Sequence, residues 1–164
     1  MGKILFYGML FLLLVSCIKE KGQKIEEVVT DTFFNVDSLP RPIPVNGRAM
    51  EAIKGWQEFK TLETTFESLY RVDNREDLTL VIEDLIEKQK MLEASSYPEI
   101  FNKPQIKSRQ KVFKTYILKT KGNLEYRVGV QESTLEMVTA YNAFRNQFGI
   151  LVNSVLDTNL ILNE

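Results

Sequence analysis

Two stretches of this chain, 46–97 and 105–164, contain no proline, and within both the apolar residues recur at spacings of three and four. That period restricts the fold most, because it matches the 3.6-residue turn of an α-helix and not the two-residue alternation of a strand. Ala49, Ala52, Trp56, Phe59, Phe66 and Tyr70 share one seam, with Glu63 the one exception and Leu62 beside it. Leu78, Ile82, Leu85 and Leu92 form a second seam, and Ile106, Phe113, Ile117 and Leu124 a third. Met137, Tyr141, Phe144, Phe148, Leu151 and Val155 hold a strict 4-3-4-3-4 register. Each set reads as the apolar face of an amphipathic helix with a coiled-coil-like seam.

The breaks carry the chemistry that ends and starts helices. Asp73-Asn74 precede the second helix, and Glu76 and Asp77 in its first turn favour its dipole. Ser95-Ser96-Tyr97-Pro98 closes it, and Pro104 suits the first turn of the third. Gly122-Asn123 reads as the C-terminal stop of that third helix. Ser133 with Glu136 reads as a capping box for the fourth. The alternation of Leu124, Tyr126, Val128 and Val130 allows a short extended segment before it. Four helices with short connections predict an all-α, up-down four-helix bundle over 46–164.

Charge and composition then remove whole classes of function. Basic side chains number 21 and acidic ones 22, a net charge of −1, where a general nucleic-acid binder would be basic. With no His and one Cys, a His-based triad, a structural zinc cluster and a disulfide framework are excluded. The glycines are scattered and form no phosphate loop, and no Ser or Lys sits in a recognisable nucleophile motif. Neither an enzyme nor a cofactor is expected.

The single Cys is informative by its position. Residues 4–15 are an apolar run behind Met1-Gly2-Lys3. The run has the proportions of a secretory signal and is too short to span a bilayer comfortably. Myristoylation at Gly2 is excluded, because that motif wants Ser or Thr where Phe6 stands. Leu14-Val15-Ser16-Cys17 resembles the lipobox of bacterial lipoprotein precursors. The resemblance implies cleavage after residue 16 and diacylglyceryl attachment to Cys17, so that the membrane is a partner through the lipid on Cys17. Position 18 is Ile and not the Asp associated with inner-membrane retention in many Gram-negative bacteria, which implies the outer membrane. Cys17-Ile18-Lys19-Glu20-Lys21 is similar to part of the surface-export signal of Bacteroidota lipoproteins, a Lys followed by two acidic residues, with Lys21 at the second acidic place. The layout also resembles small helical lipoproteins of Bacteroidota, through Ala140-Tyr141-Asn142-Ala143-Phe144-Arg145 and the segment from Pro104 to Arg109.

Three parts are therefore expected: a signal peptide at 1–16, a lipidated Cys and tether at 17–45, and the bundle at 46–164. Leu39-Pro40-Arg41-Pro42-Ile43-Pro44 makes the end of the tether extended and semi-rigid, since alternate prolines fix φ and remove N–H donors. Val28, Val29, Phe33 and Phe34 are too apolar for a pure spacer and are expected to pack back on the domain.

Candidate sites are few. Lys103, Lys107, Lys111, Lys114 and Lys121 fall within one arc of the third helix, and Lys119 and Arg109 add to its charge. The second helix is acidic, with Glu83, Asp84, Glu87 and Glu93, so the two faces are expected to pair. The sharper alternative is an interaction surface for anionic headgroups, acidic glycans or an acidic envelope partner. Glu83, Asp84 and Glu87 read as a solvated face and not a metal site, because bundle di-metal centres add His. Trp56, Tyr70, Phe113, Tyr116, Tyr141, Phe144 and Phe148 read as core and alternatively as a pocket lining. Asn142 and Arg145, one turn apart, could grip a carboxylate, though solvation or pairing is the plainer expectation. The function expected is a lipid-anchored binding or structural module of the cell envelope, with a small-ligand sensing bundle as the alternative. A solid core with an exposed apolar patch favours the first, and an aromatic pocket with an unpaired Arg at its mouth the second.

Overall fold

Three of the four expected seams each become the buried face of one helix, and the first is divided between two. The computed structural model describes residues 34–161, with side chains described to residue 154. The signal peptide, Cys17, Val28, Val29 and Phe33 lie outside the described residues, as does the side chain of Val155. Among the described residues there are five α-helices and no strand: α1 Gly47–Ile53, α2 Gln57–Ser68, α3 Arg75–Ala94, α4 Pro104–Glu125 and α5 Gln131–Ile161. All belong to one compact unit, Thr32–Glu164. None of these helices is long and apolar enough to cross a membrane.

The four longer helices pack in sequence and in opposite directions. Trp56, before α2, donates its indole N–H to Ser95, just after α3, at 2.8 Å, and Thr65 in the last turn of α2 reaches Asp84 nearer the start of α3. Lys114 of α4 meets Glu93 near the end of α3 at 2.5 Å. Lys119, toward the end of α4, pairs with Glu136 near the start of α5. The last helix returns to the first long one, since Phe59 touches Phe148 at 5.1 Å while Phe66 stacks on Tyr141 at 3.8 Å between ring centroids. Phe101, from the α3–α4 connection, joins the same cluster at 4.7 Å from Phe148. Burying side chains of this size contributes about 1.5–3 kcal/mol each.

The first expected helix is two. Gly55 disfavours a helix interior by about 1 kcal/mol relative to Ala. The chain turns there, with the Trp56 N–H on the Ile53 carbonyl at 2.8 Å. The turn lets Trp56 lie against Tyr97, 4.8 Å between centroids, and Phe59. At α3 the expected start holds, because the Asn74 side chain accepts the Asp77 N–H at 2.8 Å. Pro104 occupies the first turn of α4.

Three expectations around the α4–α5 turn are corrected. Helix α4 runs through Gly122-Asn123 and stops at Glu125, because Arg127 and not a glycine takes the left-handed conformation, φ 55°. The Arg127 N–H then bonds Leu124 O at 3.2 Å and the Val128 N–H bonds Asn123 O at 2.9 Å, which closes the helix end as a Schellman motif. With Leu124 in the helix and Arg127 left-handed, the alternating set forms no strand. Helix α5 begins at Gln131, two residues before Ser133. The Ser133 hydroxyl donates to Val130 O at 3.1 Å, and Glu136 pairs with Lys119, so no capping box forms.

Candidate functional site

Alternate prolines leave residues 40–44 with few backbone donors, and the bundle supplies partners for what remains. Residues 34–45, counted with the tether from sequence, lie as a strap on α5 that makes one 3-10 turn at Val36–Ser38. At its start, the Asn35 N–H donates to Gln131 Oε1 at 2.8 Å, and Gln131 Nε2 donates back to Asn35 O at 3.2 Å. Midway, Tyr70 donates its hydroxyl to Pro40 O at 2.6 Å while the Arg41 guanidinium sits 4.3 Å over the Tyr70 ring. Burial pushes the Tyr70 hydroxyl up to about 12, against the opposing pull of Arg41. Phe34, Leu39 and Val45 add apolar contact with the core.

Asn142 and Arg145 form the centre of this clamp. Asn142 Oδ1 accepts the Ile43 N–H at 2.9 Å and its Nδ2 donates to Arg41 O at 3.2 Å. Arg145 Nε donates to Ile43 O at 2.7 Å. Its terminal nitrogen pairs with Glu63 and donates to the Tyr141 hydroxyl at 3.2 Å. Burial pushes the Tyr141 hydroxyl above the usual phenol range, so it stays neutral and serves Arg145 as an acceptor. The carboxylate that Arg145 grips is therefore internal. It belongs to Glu63, the residue that interrupts the α2 seam. That interruption, opposite an arginine at a seam edge, was the signal in the sequence for this pair.

The aromatic set divides. Trp56, Phe113, Tyr141, Phe144 and Phe148 are core and fill it against one another. Tyr70 belongs to the strap clamp. Tyr116 lines an open groove of about 370 Å³ between α4 and α5, with Arg109, Val112, Leu135, Ala140 and Ala143. The two alanines open it, and Val112 and Leu135, each 42% exposed, supply apolar walls. A neighbouring hollow of about 460 Å³ shares Arg109 and runs toward Pro104 and Gln147.

The basic stripe on α4, the third helix expected from sequence, does not act as one pairing face. Lys114 pairs with Glu93, Lys121 with Glu125 of its own helix at 3.5 Å, and Lys107 lies 5.3 Å over the Tyr97 ring. Lys103 and Lys111 are exposed. Of the acids expected opposite, Asp84 and Glu87 pair with Lys88 within α3, at 3.0 and 3.6 Å, and Glu83 lines a small cleft beside Lys121. Among the described residues no group of three or more metal-ligating side chains converges. Two seam positions that sequence reasoning passed over, Gln89 and Gln110, are buried polar side chains. Gaps of seven in their seams, Leu85 to Leu92 and Ile106 to Phe113, mark them. Compared with protein-family models, curated proteins and solved structures, the chain matches none.

Proposed function

We propose that this chain is a lipid-anchored, extracytoplasmic interaction module of the bacterial cell envelope, held at the outer membrane through acyl chains on Cys17. Leu14-Val15-Ser16-Cys17 behind a short apolar run supports the anchor, and the only cysteine of the chain falls at the cleavage point. The observation that carries the interaction role is the combination of a filled aromatic core with an apolar groove left open between α4 and α5. A small-ligand bundle would need an opening lined by several aromatics with a free arginine, whereas the groove holds one aromatic, Tyr116, beside Arg109, and Arg145 is committed to Glu63 and the strap. Groove and core together favour a macromolecular partner, with Val112, Tyr116 and Leu135 as the contact residues.

Two measurements on native cells test the two halves separately. Metabolic labelling with a fatty-acid analogue should mark the wild-type chain, and Cys17→Ser should lose the label and accumulate as precursor. Label retained by the mutant would sink the anchor. A photo-crosslinking residue at Val112 or Leu135 should capture one defined envelope partner, where the same residue at exposed Lys54 should not. Indistinguishable adduct patterns at the two positions would sink the groove as a binding surface.

A further inference from the structure

The α4–α5 turn displays two side chains that its own packing does not use. Tyr126 is 82% exposed and Val128 53% exposed. They are held rigidly, because the Schellman bonds across Arg127 close the helix end and Asn123 Nδ2 donates to Gly129 O at 3.2 Å. An amphipathic aromatic and an apolar branched residue on a stiff turn are suited to the boundary between headgroups and acyl chains. Arg127 between them has the reach to keep its charge among phosphates.

The course of the strap says which surface covers this turn. Asn35 is fastened to Gln131, three residues past Val128, and the strap then runs away along α5 until Asn46 lies beside Gly149. The described chain therefore begins beside the Tyr126–Val128 turn. Sixteen residues, 18–33, separate Cys17 from Phe34. Helix α4, with 22 residues, is about 33 Å long. An anchor on Cys17 thus brings this end of the bundle to the bilayer more readily than the far end.

We infer that the Tyr126–Val128 turn is the membrane-docking tip of the domain, with Tyr126 and Val128 set into the headgroup–acyl boundary of the bilayer that holds Cys17. The inference rests on the lipid-anchor reading. Its test uses the full lipidated chain in phosphatidylethanolamine–phosphatidylglycerol vesicles. With Cys17 acylated and no other cysteine present, Val128→Cys adds a unique thiol for a nitroxide label. Asn102→Cys does the same at the opposite end, where Asn102 is exposed. The label at 128 should be relaxed by oxygen and shielded from a water-soluble nickel chelate, and the label at 102 should be open to nickel. Adding Tyr126→Ser to the Val128→Cys chain should restore nickel access, with the helical spectrum unchanged. If both labels meet nickel while the protein stays on the vesicles, the tip is overturned and the anchor stands. A label at 128 immobilised and shielded from both reagents would mean that protein covers the turn, which also overturns the inference. A chain that washes off the vesicles and carries no acyl label would remove the anchor, and the tip with it.

Discussion

Replacing Gln89 with Met should make the protein more stable. Gln89 lies between Leu85 and Leu92 on the buried face of α3, is 1% exposed, and neither of its amide atoms has a hydrogen-bond partner. A buried polar group left without partners costs about 1–3 kcal/mol. Methionine keeps the unbranched shape and nearly the same helix propensity, and a volume-conserving change costs less than about 1.5 kcal/mol. The balance is a stabilisation of about 1–2 kcal/mol, or a rise in Tm of about 3–4 °C per kcal/mol for a domain of this size. Urea unfolding of a chain starting at Thr32, followed by circular dichroism, would read it as a higher midpoint at unchanged slope. Gln110→Met is the contrast. There Oε1 accepts the Tyr97 hydroxyl, so the change orphans a partner and should gain little. A lower midpoint for Gln89→Met would refute the reasoning by showing that the amide is satisfied in solution, for instance by buried water.

Arg127→Gly should raise stability by about 1 kcal/mol, since an L-side chain at positive φ costs about 1–2 kcal/mol; a lower Tm would refute it. Arg145→Met should cost about 2–4 kcal/mol by orphaning Glu63 and the Ile43 carbonyl, and Glu63→Gln clearly less because the amide oxygen still accepts; equal losses would show that the pair is not the fastening element. Tyr70 has a folded-state pKa of about 12 against 10.0 ordinarily, so its contribution is complete below pH 10 and lost as pH rises toward 12; Tyr70→Phe should flatten that part of the alkaline melting profile. Reversing Lys107, Lys111 and Lys114 to Glu should cost no more than about 2 kcal/mol, through the Lys114–Glu93 pair and the Lys107 contact with the Tyr97 ring, with Glu93→Lys restoring part of it and Glu87→Lys none.

The helices and their buried faces were legible because burial imposes the helical period, and Leu78, Ile82 and Leu85 or Phe144 and Phe148 cannot satisfy it in another way. The strap was not. Its partners, Asn142 and Arg145, lie about a hundred residues away, and a Pro-x-Pro segment reads as a spacer whether or not a helix face holds it. The turn after α4 was misread because Gly122 is the better left-handed residue locally. Yet the helix continues through it and places Leu124 in the core, at 6% exposure, which outweighs about 1–2 kcal/mol of strain at Arg127.

The interruptions of the seams carry the remaining information. Apolar rows tolerate sliding, because Leu or Phe one helical turn away is nearly as good a neighbour. Glu63 and Arg145 do not tolerate it. A slip of α2 along α5 by one turn, about 5.4 Å, would leave Arg145 buried without the Glu63 carboxylate, a loss of several kcal/mol. Gln110 adds a second check through Tyr97, on the α3–α4 connection. The polar seam positions thus contribute little to net stability but select one alignment among several that the hydrophobic pattern allows. The α2–α5 pair that they align is the one that holds the strap, and so decides where the strap lies on the bundle.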